Sequence, residues 1–168
     1  MKTVTMQGNA LELEGCLPQV GAPAPDFTLA NNALQPVTLA DFAGKVLVLV
    51  VVPSLDTPVC DMEVRRFNKE AAACGDMVRI AAVSCDLPFA QARWCGAAGV
   101  QAVSSLSDYK TVEFGRAYGV LLPALRLLAR AIFVIGADGV LRYSQLVPEV
   151  THEPDYDAVL AAIKEATA

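Results

Sequence analysis

Cys60 is the residue whose type and setting point most directly to chemistry. It follows the apolar run Val46–Val52 and lies two positions after Pro58, a residue that favours the first turn of a helix. Unpaired backbone N–H groups and the positive end of the helix dipole favour an anion in that turn. We therefore expect the thiolate of Cys60, the nucleophilic form of cysteine, to be stabilised.

Thr57 favours a chemical role for Cys60 over a structural one. A free cysteine is more often a small buried hydrophobe that does not react. Here the hydroxyl of Thr57, three positions before Cys60, can reach the sulfur. The strand–turn–helix setting also matches that of known reactive cysteines, so Cys60 is predicted to be a reactive thiol.

The segment around Cys60 resembles a known family, the peroxiredoxins. The family motif Pro-x-x-x-Thr-x-x-Cys is matched by Pro53, Thr57 and Cys60. Further blocks are similar to the thiol peroxidase subfamily: VTLADFAGK, PSLDTPVC, DLPFAQARWCGAAG, LLARAIFVI and VPEVTHEPDYDAVLAAIK. Because these blocks occur in order over most of the chain, the resemblance does not depend on the short motif alone.

The resemblance implies a role for each matching position. In the family, the first cysteine attacks the peroxide, a threonine and a distant arginine hold the thiolate and the peroxide oxygens, and a proline shields the sulfur. The matching residues are Cys60, Thr57, Arg130 and Pro53. A second cysteine, matched by Cys95, forms an intramolecular disulfide with the oxidised first cysteine in the thiol peroxidase subfamily.

These residue types suit such a reaction. A thiolate that attacks a peroxide needs donors aimed at the charge developing on the leaving oxygen, and a hydroxyl and a guanidinium supply them. The product is a sulfenic acid on Cys60, which condenses with a nearby thiol to form a disulfide.

Arg130 also has a structural interpretation. It lies between two alanines and can cap the strand predicted at 131–135 or pair with a carboxylate. A buried charge must be paired, and a thiolate is a suitable partner. Arg126 is the nearest competitor, and only the LLARA match separates the two arginines.

Cys95 has a structural alternative as well, because it follows Trp94, the sole tryptophan, and can pack in the core. A Cys60–Cys95 bond requires Cα atoms within roughly 7 Å. Two helix-borne residues need not satisfy that limit at rest. We therefore expect one or both helices to unwind locally during turnover.

The remaining cysteines, Cys16, Cys74 and Cys85, have no counterpart in the family's reaction. Cys85 is expected in the core, whereas Cys74 and Cys16 can be partly exposed. The cysteine spacing is unlike that of structural zinc sites. The only histidine, His152, lies in a polar turn and is predicted to be at the surface. No metal or organic cofactor is expected.

Composition limits the class of protein. A length of 168 residues with 54% hydrophobic residues predicts one domain over 1–168, with 1–20 as an N-terminal extension. A net charge of −5 and the lack of a basic run disfavour nucleic-acid binding. No stretch approaches the roughly 20 apolar residues of a membrane span. Five cysteines without a CxxC pair suit a reducing compartment, so we expect a cytoplasmic protein.

Strands and helices that position these residues alternate along the chain. They are predicted as strand 46–52, helix 58–73, strand 77–84, helix 88–98, strand 102–106, helix Thr111–Tyr118, strand 131–135, strand Leu141–Val147 and helix Tyr156–Ala166, with a hairpin turn at 137–139. This order predicts an α/β fold with a central mixed β-sheet flanked by helices. It agrees with the thioredoxin-like fold that the resemblance implies.

Short hairpins are predicted before Val46. A small N-terminal β-hairpin is expected over Thr3–Glu14, with its turn near Gly8-Asn9. The proline-containing segment Leu17–Asp26 is expected to be a linker, and a second short strand pair follows it.

The segment 119–128 departs from the family pattern. Its sequence, GVLLPALRLL, is shorter and more apolar than the Gly-Pro-Leu loop of the thiol peroxidases. Because family dimers pack near the active site, we expect the change to affect the dimer surface or the mouth of the site. An exposed patch of leucines there would favour association.

The resemblance predicts a thiol peroxidase of antioxidant defence that reduces hydrogen peroxide or organic hydroperoxides, acts as a homodimer and receives electrons from thioredoxin. One alternative is a general thiol–disulfide oxidoreductase, but that class usually carries CxxC, which is absent around Cys60. A second alternative is a redox sensor in which a Cys60–Cys95 bond switches a partner surface.

Overall fold

A seven-stranded mixed β-sheet lies at the centre of the computed structural model, which describes residues 2–168. The strands are β1 (Thr3–Met6), β2 (Asn9–Glu12), β3 (Thr28–Ala30), β4 (Pro36–Thr38), β5 (Val46–Val51), β6 (Val78–Ser84), β7 (Val103–Ser107), β8 (Leu121–Leu122), β9 (Leu127–Leu128), β10 (Ala131–Ile135) and β11 (Leu141–Leu146). The helices are α1 (Pro58–Cys74), α2 (Pro88–Ala98), α3 (Glu113–Ala117) and α4 (Tyr156–Thr167), and a 3₁₀ turn covers Leu39–Phe42.

The strand order of the central sheet is β11-β10-β5-β6-β7-β3-β4. Strands β5, β6 and β7 are parallel, whereas β10, β11, β3 and β4 each run antiparallel to their neighbours. The predicted α/β fold with a mixed sheet, flanking helices and an N-terminal hairpin is therefore confirmed.

Strand β5 occupies the middle of the sheet because its side chains are apolar on both faces. All six of its residues are buried, as the continuous valine and leucine pattern predicts. Successive side chains point to opposite faces, so Val48 and Val50 join one core cluster while Leu47 and Leu49 join the other. The end of this strand is a rigid base for the loop that leads to Cys60.

Helices α1, α2 and α4 share one of these cores. Cys60 and Phe67 of α1, Trp94 of α2 and Val159 of α4 are all buried in the cluster that contains Val48. The other face carries α3, whose Phe114 stacks on Tyr118. Both helices that bear the predicted reactive cysteines therefore lie on the same side of the sheet.

Helix α1 begins where the sequence predicts. Thr57 is its N-cap in an extended conformation, Pro58 is in the first turn, and Gly75 ends the helix with φ of 73°. A positive φ is readily adopted by glycine, which has no Cβ. Cys60 thus lies in the first turn of α1.

The N-terminal hairpin turns one residue earlier than the sequence predicts. Met6 pairs with Asn9, and the two residues between them, Gln7 and Gly8, both have positive φ values of 51° and 81°. This is the two-residue turn that matches the twist of a hairpin. Tertiary contacts hold Gln7 in this conformation, because Glu149 accepts hydrogen bonds from the backbone N–H groups of Gln7 and Gly8.

The apolar segment 119–128 forms the short antiparallel hairpin β8–β9. Its leucines do not form an exposed patch that would favour association: Leu121, Leu122 and Leu128 are buried in the core with Tyr118. The expected effect on the dimer surface or the mouth of the site stays a prediction. Only Leu125, at the turn, is largely exposed. The apolar composition reflects packing of the hairpin onto the sheet, which a sequence pattern cannot distinguish from an apolar surface.

The other predicted elements are present with small shifts at their ends. The predicted strand 102–106 lies at Val103–Ser107, and the helix predicted over Thr111–Tyr118 shortens to Glu113–Ala117. The strand pair predicted before Val46 is β3–β4, and the turn at 137–139 joins β10 to β11.

Candidate active site

Cys60 is fully buried, and its sulfur contacts a positive charge. Arg130 donates a hydrogen bond from Nη2 to Cys60 Sγ over 3.2 Å. The first turn of α1 adds backbone N–H groups that α1 itself does not use. Both features favour a negative charge on the sulfur.

Arg130 holds its position through three contacts. Its Nε donates to Val150 O over 2.9 Å, its Nη1 pairs with Glu63, and its Nη2 reaches the sulfur. Burial lowers the pKa of Arg130, but the neighbouring charges of Glu63 and Cys60 raise it by more, so the guanidinium stays charged. Arg126 is exposed at the β8–β9 turn, so Arg130 is the arginine at the site.

Glu63 is a site residue that the sequence reasoning missed. It is fully buried, and its Oε1 has no partner among the described residues. Burial raises the pKa of Glu63 to about 7, although Arg130 acts in the opposite direction. The available signal was a carboxylate three positions after Cys60 on the buried face of α1, since residues three apart share a helix face.

Thr57 lies at the site but does not donate to the sulfur. Its hydroxyl donates to Ser54 O over 2.8 Å, and its residue is exposed. The expectation that this hydroxyl reaches the sulfur is therefore not confirmed. Among the hydrogen bonds of residues 2–168, none joins the Thr57 hydroxyl to Cys60 Sγ. With its proton bound to Ser54 O, the Thr57 oxygen is free to accept a hydrogen bond.

A cavity of about 260 Å³ adjoins these residues. It is lined by Met6, Gln7, Pro53, Thr57, Pro58, Val59, Arg130, Val150 and Thr151. Arg130 is the side chain that both lines this cavity and contacts Cys60 Sγ. The cavity thus gives a small molecule access to the guanidinium, between the N-terminal hairpin and the start of α1.

Glu149 joins the two walls of this cavity. Its carboxylate accepts from Thr5 Oγ1 at 2.5 Å, from the backbone N–H groups of Gln7 and Gly8, and from Thr151 Oγ1 at 2.7 Å. These bonds hold the pKa of Glu149 well below its usual range, and the bond from Thr5 has the largest effect. The hairpin turn that carries Gln7 is therefore fastened to the segment that carries Val150.

The loop before α1 is anchored by Asp86, another residue that the sequence reasoning missed. Its carboxylate accepts from Ser54 Oγ at 2.7 Å, from Leu55 N at 2.8 Å and from Ser84 Oγ at 2.7 Å. Because Asp86 lies two residues before the start of α2, the loop that leads to Cys60 and the helix that carries Cys95 share one anchor.

Cys95 is not brought to Cys60 in this structure. It is half-buried on α2, and its Sγ donates to Ser105 Oγ of β7 over 3.6 Å. All five cysteines, which lie within residues 2–168, are free thiols. The remaining predicted site residues, Pro53, Thr57 and Arg130, are together at the cavity near Cys60.

The other cysteines differ in environment. Cys16 is exposed, whereas Cys74 and Cys85 are half-buried. Burial raises the pKa of Cys85 to about 12 and also raises the pKa of Cys74, so both favour the neutral thiol. His152 is exposed, as predicted.

Two further features of the described residues bear on other classes of function. Among residues 2–168, no three His, Cys, Asp or Glu side chains are grouped so as to hold a metal ion. No helix in the same range is long and apolar enough to cross a membrane.

Known proteins share both the sequence and the fold of this chain. Residues 19–160 match the Redoxin family model. A thiol peroxidase of Bacillus subtilis is 48% identical over 98% of each chain, and one of Halalkalibacterium halodurans is 49% identical over 99% of each. The crystal structure of a peroxiredoxin-like protein from Aquifex aeolicus has a TM-score of 0.92 at 41% identity, covering 99% of this chain and 98% of that one.

A buried cysteine in the first turn of a helix, held by an arginine beside a small cavity on a thioredoxin-like sheet, defines the class of thiol-based redox enzymes. With these relatives, the chain belongs to the redoxin family and, within it, to the thiol peroxidase subfamily of the peroxiredoxins.

Proposed function

We propose that this protein is a thiol-dependent peroxidase in which Cys60 reduces hydrogen peroxide or organic hydroperoxides. The observation that carries this proposal is the 3.2 Å contact between Arg130 Nη2 and the buried Cys60 Sγ, beside a cavity that Arg130 also lines. The full-length similarity to thiol peroxidases supports the same activity.

The first half-reaction is a displacement at oxygen. The Cys60 thiolate attacks one oxygen of the O–O bond, so that an S–O bond forms and the O–O bond breaks. The sulfur is oxidised by two electrons to a sulfenic acid. The other oxygen leaves as hydroxide or alkoxide, takes up a proton and becomes water or an alcohol.

Arg130 is the electrostatic group in this proposal. Its guanidinium stabilises the thiolate before attack and the charge on the departing oxygen during it. Glu63 and Val150 O hold the planar guanidinium facing the sulfur, because each binds a different nitrogen. The guanidinium is thus already oriented when the substrate arrives.

Thr57 and Pro53 complete the first step. The Thr57 hydroxyl donates to Ser54 O, so its oxygen can accept the hydrogen of a hydroperoxide in the cavity. Buried Pro53 forms part of the cavity wall and limits the access of water to the sulfur. Together they orient the O–O bond toward Cys60.

Cys95 is proposed to resolve the oxidised enzyme. Its thiolate attacks the sulfur of the Cys60 sulfenic acid, an S–S bond forms, and the S–O bond breaks. The departing hydroxide takes up the proton that the Cys95 thiol gave up and becomes water. A reduced thioredoxin then supplies two electrons and two protons, regenerating both thiols. Support for Cys95 and for thioredoxin comes from the resemblance to the thiol peroxidases.

The assembly and location of the enzyme are also proposals. We expect one domain over 1–168, with 1–20 as an extension fastened by bonds such as Thr5 N to Pro148 O at 2.8 Å. A homodimer and a cytoplasmic location are implied by the family and by the need for a reducing environment. Sedimentation at micromolar concentration tests the dimer, and a strictly monomeric protein would contradict it.

Steady-state turnover separates the enzyme from a redox sensor. With thioredoxin, its reductase and excess hydroperoxide, the enzyme consumes many equivalents of peroxide per chain, and Cys60→Ser abolishes consumption. Consumption that stops at one equivalent with every thiol reductant tried would instead support a sensor.

A further inference from the structure

Trp94 and Cys95 are adjacent on α2 but face different parts of the molecule. Successive residues of an α-helix are rotated by about 100°. Trp94 Nε1 donates to Asp61 Oδ1 of α1 over 2.9 Å, whereas Cys95 Sγ donates to Ser105 of β7. The α2 side chain that meets the first turn of α1 is therefore Trp94 rather than the cysteine.

The two thiols are held by different strands. Cys95 contacts Ser105 on β7, and Cys60 contacts Arg130, which immediately precedes β10. Strands β5 and β6 separate β7 from β10, so the two sulfurs are directed at partners on different parts of the sheet. A disulfide needs Cα atoms within about 7 Å and Cβ atoms that face each other. At least one helix must rearrange before the bond can form.

Arg65 reinforces the contact between the two helices. Its Nε donates to both carboxylate oxygens of Asp61, at 2.9 and 3.0 Å, and its guanidinium lies 5.7 Å from the centre of the Trp94 ring. Its Nη1 also donates to Ala98 O at the end of α2, over 3.2 Å. Asp61, Arg65 and Trp94 thus form one network, here called the latch.

Little else buries α2. Of its eleven residues, only Pro88, Gln91 and Trp94 are buried, and Trp94 is the one large apolar side chain among them. The helix also contains Gly96 and ends at Gly99 with φ of 68°. A helix with few buried contacts opens locally at low free-energy cost. Gln91 holds the first half of α2 through hydrogen bonds from its Nε2 to Ser84 Oγ and Leu106 O. Loss of the Trp94 contact would therefore loosen the second half of the helix, which carries Cys95.

We propose that Asp61 and Trp94 are positioning residues for the second half-reaction, and that the latch must open for Cys95 to reach oxidised Cys60. This inference rests on the proposed function. In the step itself, the Cys95 sulfur forms a bond to the Cys60 sulfur, the S–O bond of the sulfenic acid breaks, and water leaves. The latch contributes to the reduced form and is absent from the disulfide form.

The latch therefore affects an equilibrium as well as a rate. An interaction present only in the reduced form favours the dithiol over the disulfide by its own contribution. A hydrogen bond to a charged group is strong enough that its loss shifts an equilibrium about tenfold. A residue that served only general stability would change both redox forms alike.

The test variant is Trp94→Phe, which keeps a ring at the position and removes the N–H donor. We expect disulfide formation to be about tenfold faster and the dithiol–disulfide equilibrium in a glutathione buffer to shift toward the disulfide by a similar factor. The rate at which a hydroperoxide first oxidises Cys60 should stay unchanged. Asp61→Ala should behave like Trp94→Phe, and Asp61→Asn, which keeps an Oδ1 acceptor, should lie between it and the wild type.

Arg142→Gln is the matched control. It removes another exposed i,i+4 ion pair, with Asp138, in the distant β10–β11 hairpin. We expect it to leave the disulfide rate and equilibrium unchanged. In the wild type, Trp94 fluorescence should change with oxidation, and amide hydrogen exchange in α2 should rise in the disulfide form and in reduced Trp94→Phe.

Diamide distinguishes failure of this inference from failure of the proposed function. It takes two electrons from a pair of thiols and becomes a hydrazine, so it makes the disulfide without any peroxide. Faster diamide-driven closure in Trp94→Phe, in a protein that does not react with hydroperoxides, would uphold the latch and reject the peroxidase. Normal peroxide oxidation with closure rates and redox equilibria equal in wild type and Trp94→Phe would reject the latch.

Discussion

Cys60 and Glu63 bind the two terminal nitrogens of the same guanidinium, that of Arg130. Both are fully buried, and they lie three positions apart on one face of α1. One positive charge therefore serves two acidic groups inside the protein.

Glu63 should make stability depend on pH. Burial raises the folded-state pKa of Glu63 from 4.5 to about 7, so between these values the folded protein binds more protons than the unfolded chain. The free energy of unfolding should therefore fall as pH rises from 4.5 to 7 and level off above. The expected loss is on the order of 3 kcal/mol, and denaturant titrations across this range measure it.

The comparison for this prediction is Glu63→Gln, which keeps an oxygen for Arg130 but does not titrate. The part of the pH slope between 4.5 and 7 that belongs to Glu63 should disappear in this variant. An identical slope in both proteins would show that another group is responsible.

Arg130→Lys should slow the first oxidation of Cys60 strongly. A lysine carries a point charge and cannot bind Val150 O, Glu63 and the sulfur with three fixed nitrogens. Loss of an oriented donor typically lowers a rate by a factor of about 10² to 10³. We expect a loss of about this size in the rate at which hydrogen peroxide oxidises Cys60, measured by stopped flow. Arg126→Lys, at the exposed competitor, should leave the rate unchanged. Equal rates in all three proteins would remove Arg130 from the mechanism.

Most of the fold could be predicted because local sequence patterns, such as apolar runs and helix-starting prolines, mark the same elements that the tertiary structure contains. The apolar run Val46–Val52 forms a central strand, and Pro58 begins α1, so the position of Cys60 followed directly. The burial of the leucines of 119–128 depends on which face of the hairpin meets the core, and periodicity over ten residues does not reveal that.

The site residues that were missed act through long-range contacts. Asp86 holds Ser54 from 32 positions away, and Glu63 meets Arg130 across 67 positions. A carboxylate on the buried face of α1 was visible in the sequence, but its partner was not. Arg130 itself was identified only through the family resemblance.

Thr57→Val should slow the reaction with hydroperoxides, whereas Thr57→Ser should largely preserve it. Valine has nearly the same shape but no oxygen to accept the hydrogen of the substrate, and serine keeps that oxygen. We expect a loss of about 10² in the second-order rate constant for Thr57→Val, measured under pseudo-first-order conditions. If serine were as defective as valine, packing of the methyl group would be the role of Thr57.

Glu149→Gln should raise KM for hydroperoxides more than it changes kcat. An amide keeps one acceptor oxygen but presents N–H donors to Thr5 or Gln7, so the hairpin wall of the cavity loosens.

Because hydrogen bonds lower the pKa of Glu149, its contribution to stability is present above the unfolded pKa and is lost as pH falls. Glu12→Gln, exposed on the same hairpin, is the control. Parallel changes in both variants would show that negative charge beside the hairpin matters, rather than the hydrogen bonds of Glu149.

Cys95→Ser should permit one oxidation of Cys60 and then stall or over-oxidise, because no thiol remains to form the bond. Serine or alanine at Cys16, Cys74 or Cys85 should largely retain turnover, since none of them contributes to the site. Mass spectrometry of the Cys60 peptide measures the sulfinic acid that accumulates. Loss of disulfide formation in Cys74→Ser alone would identify a different resolving residue.

The most direct test of Cys60 as the peroxide-reducing thiol is a thiol titration of the reduced protein before and after one equivalent of hydroperoxide, with peptide mapping of any bridge. We expect rapid loss of two thiols and a peptide pair that joins Cys60 to Cys95. Retention of all five thiols would contradict it, because Cys60 would then be a structural cysteine on a peroxiredoxin fold without the activity.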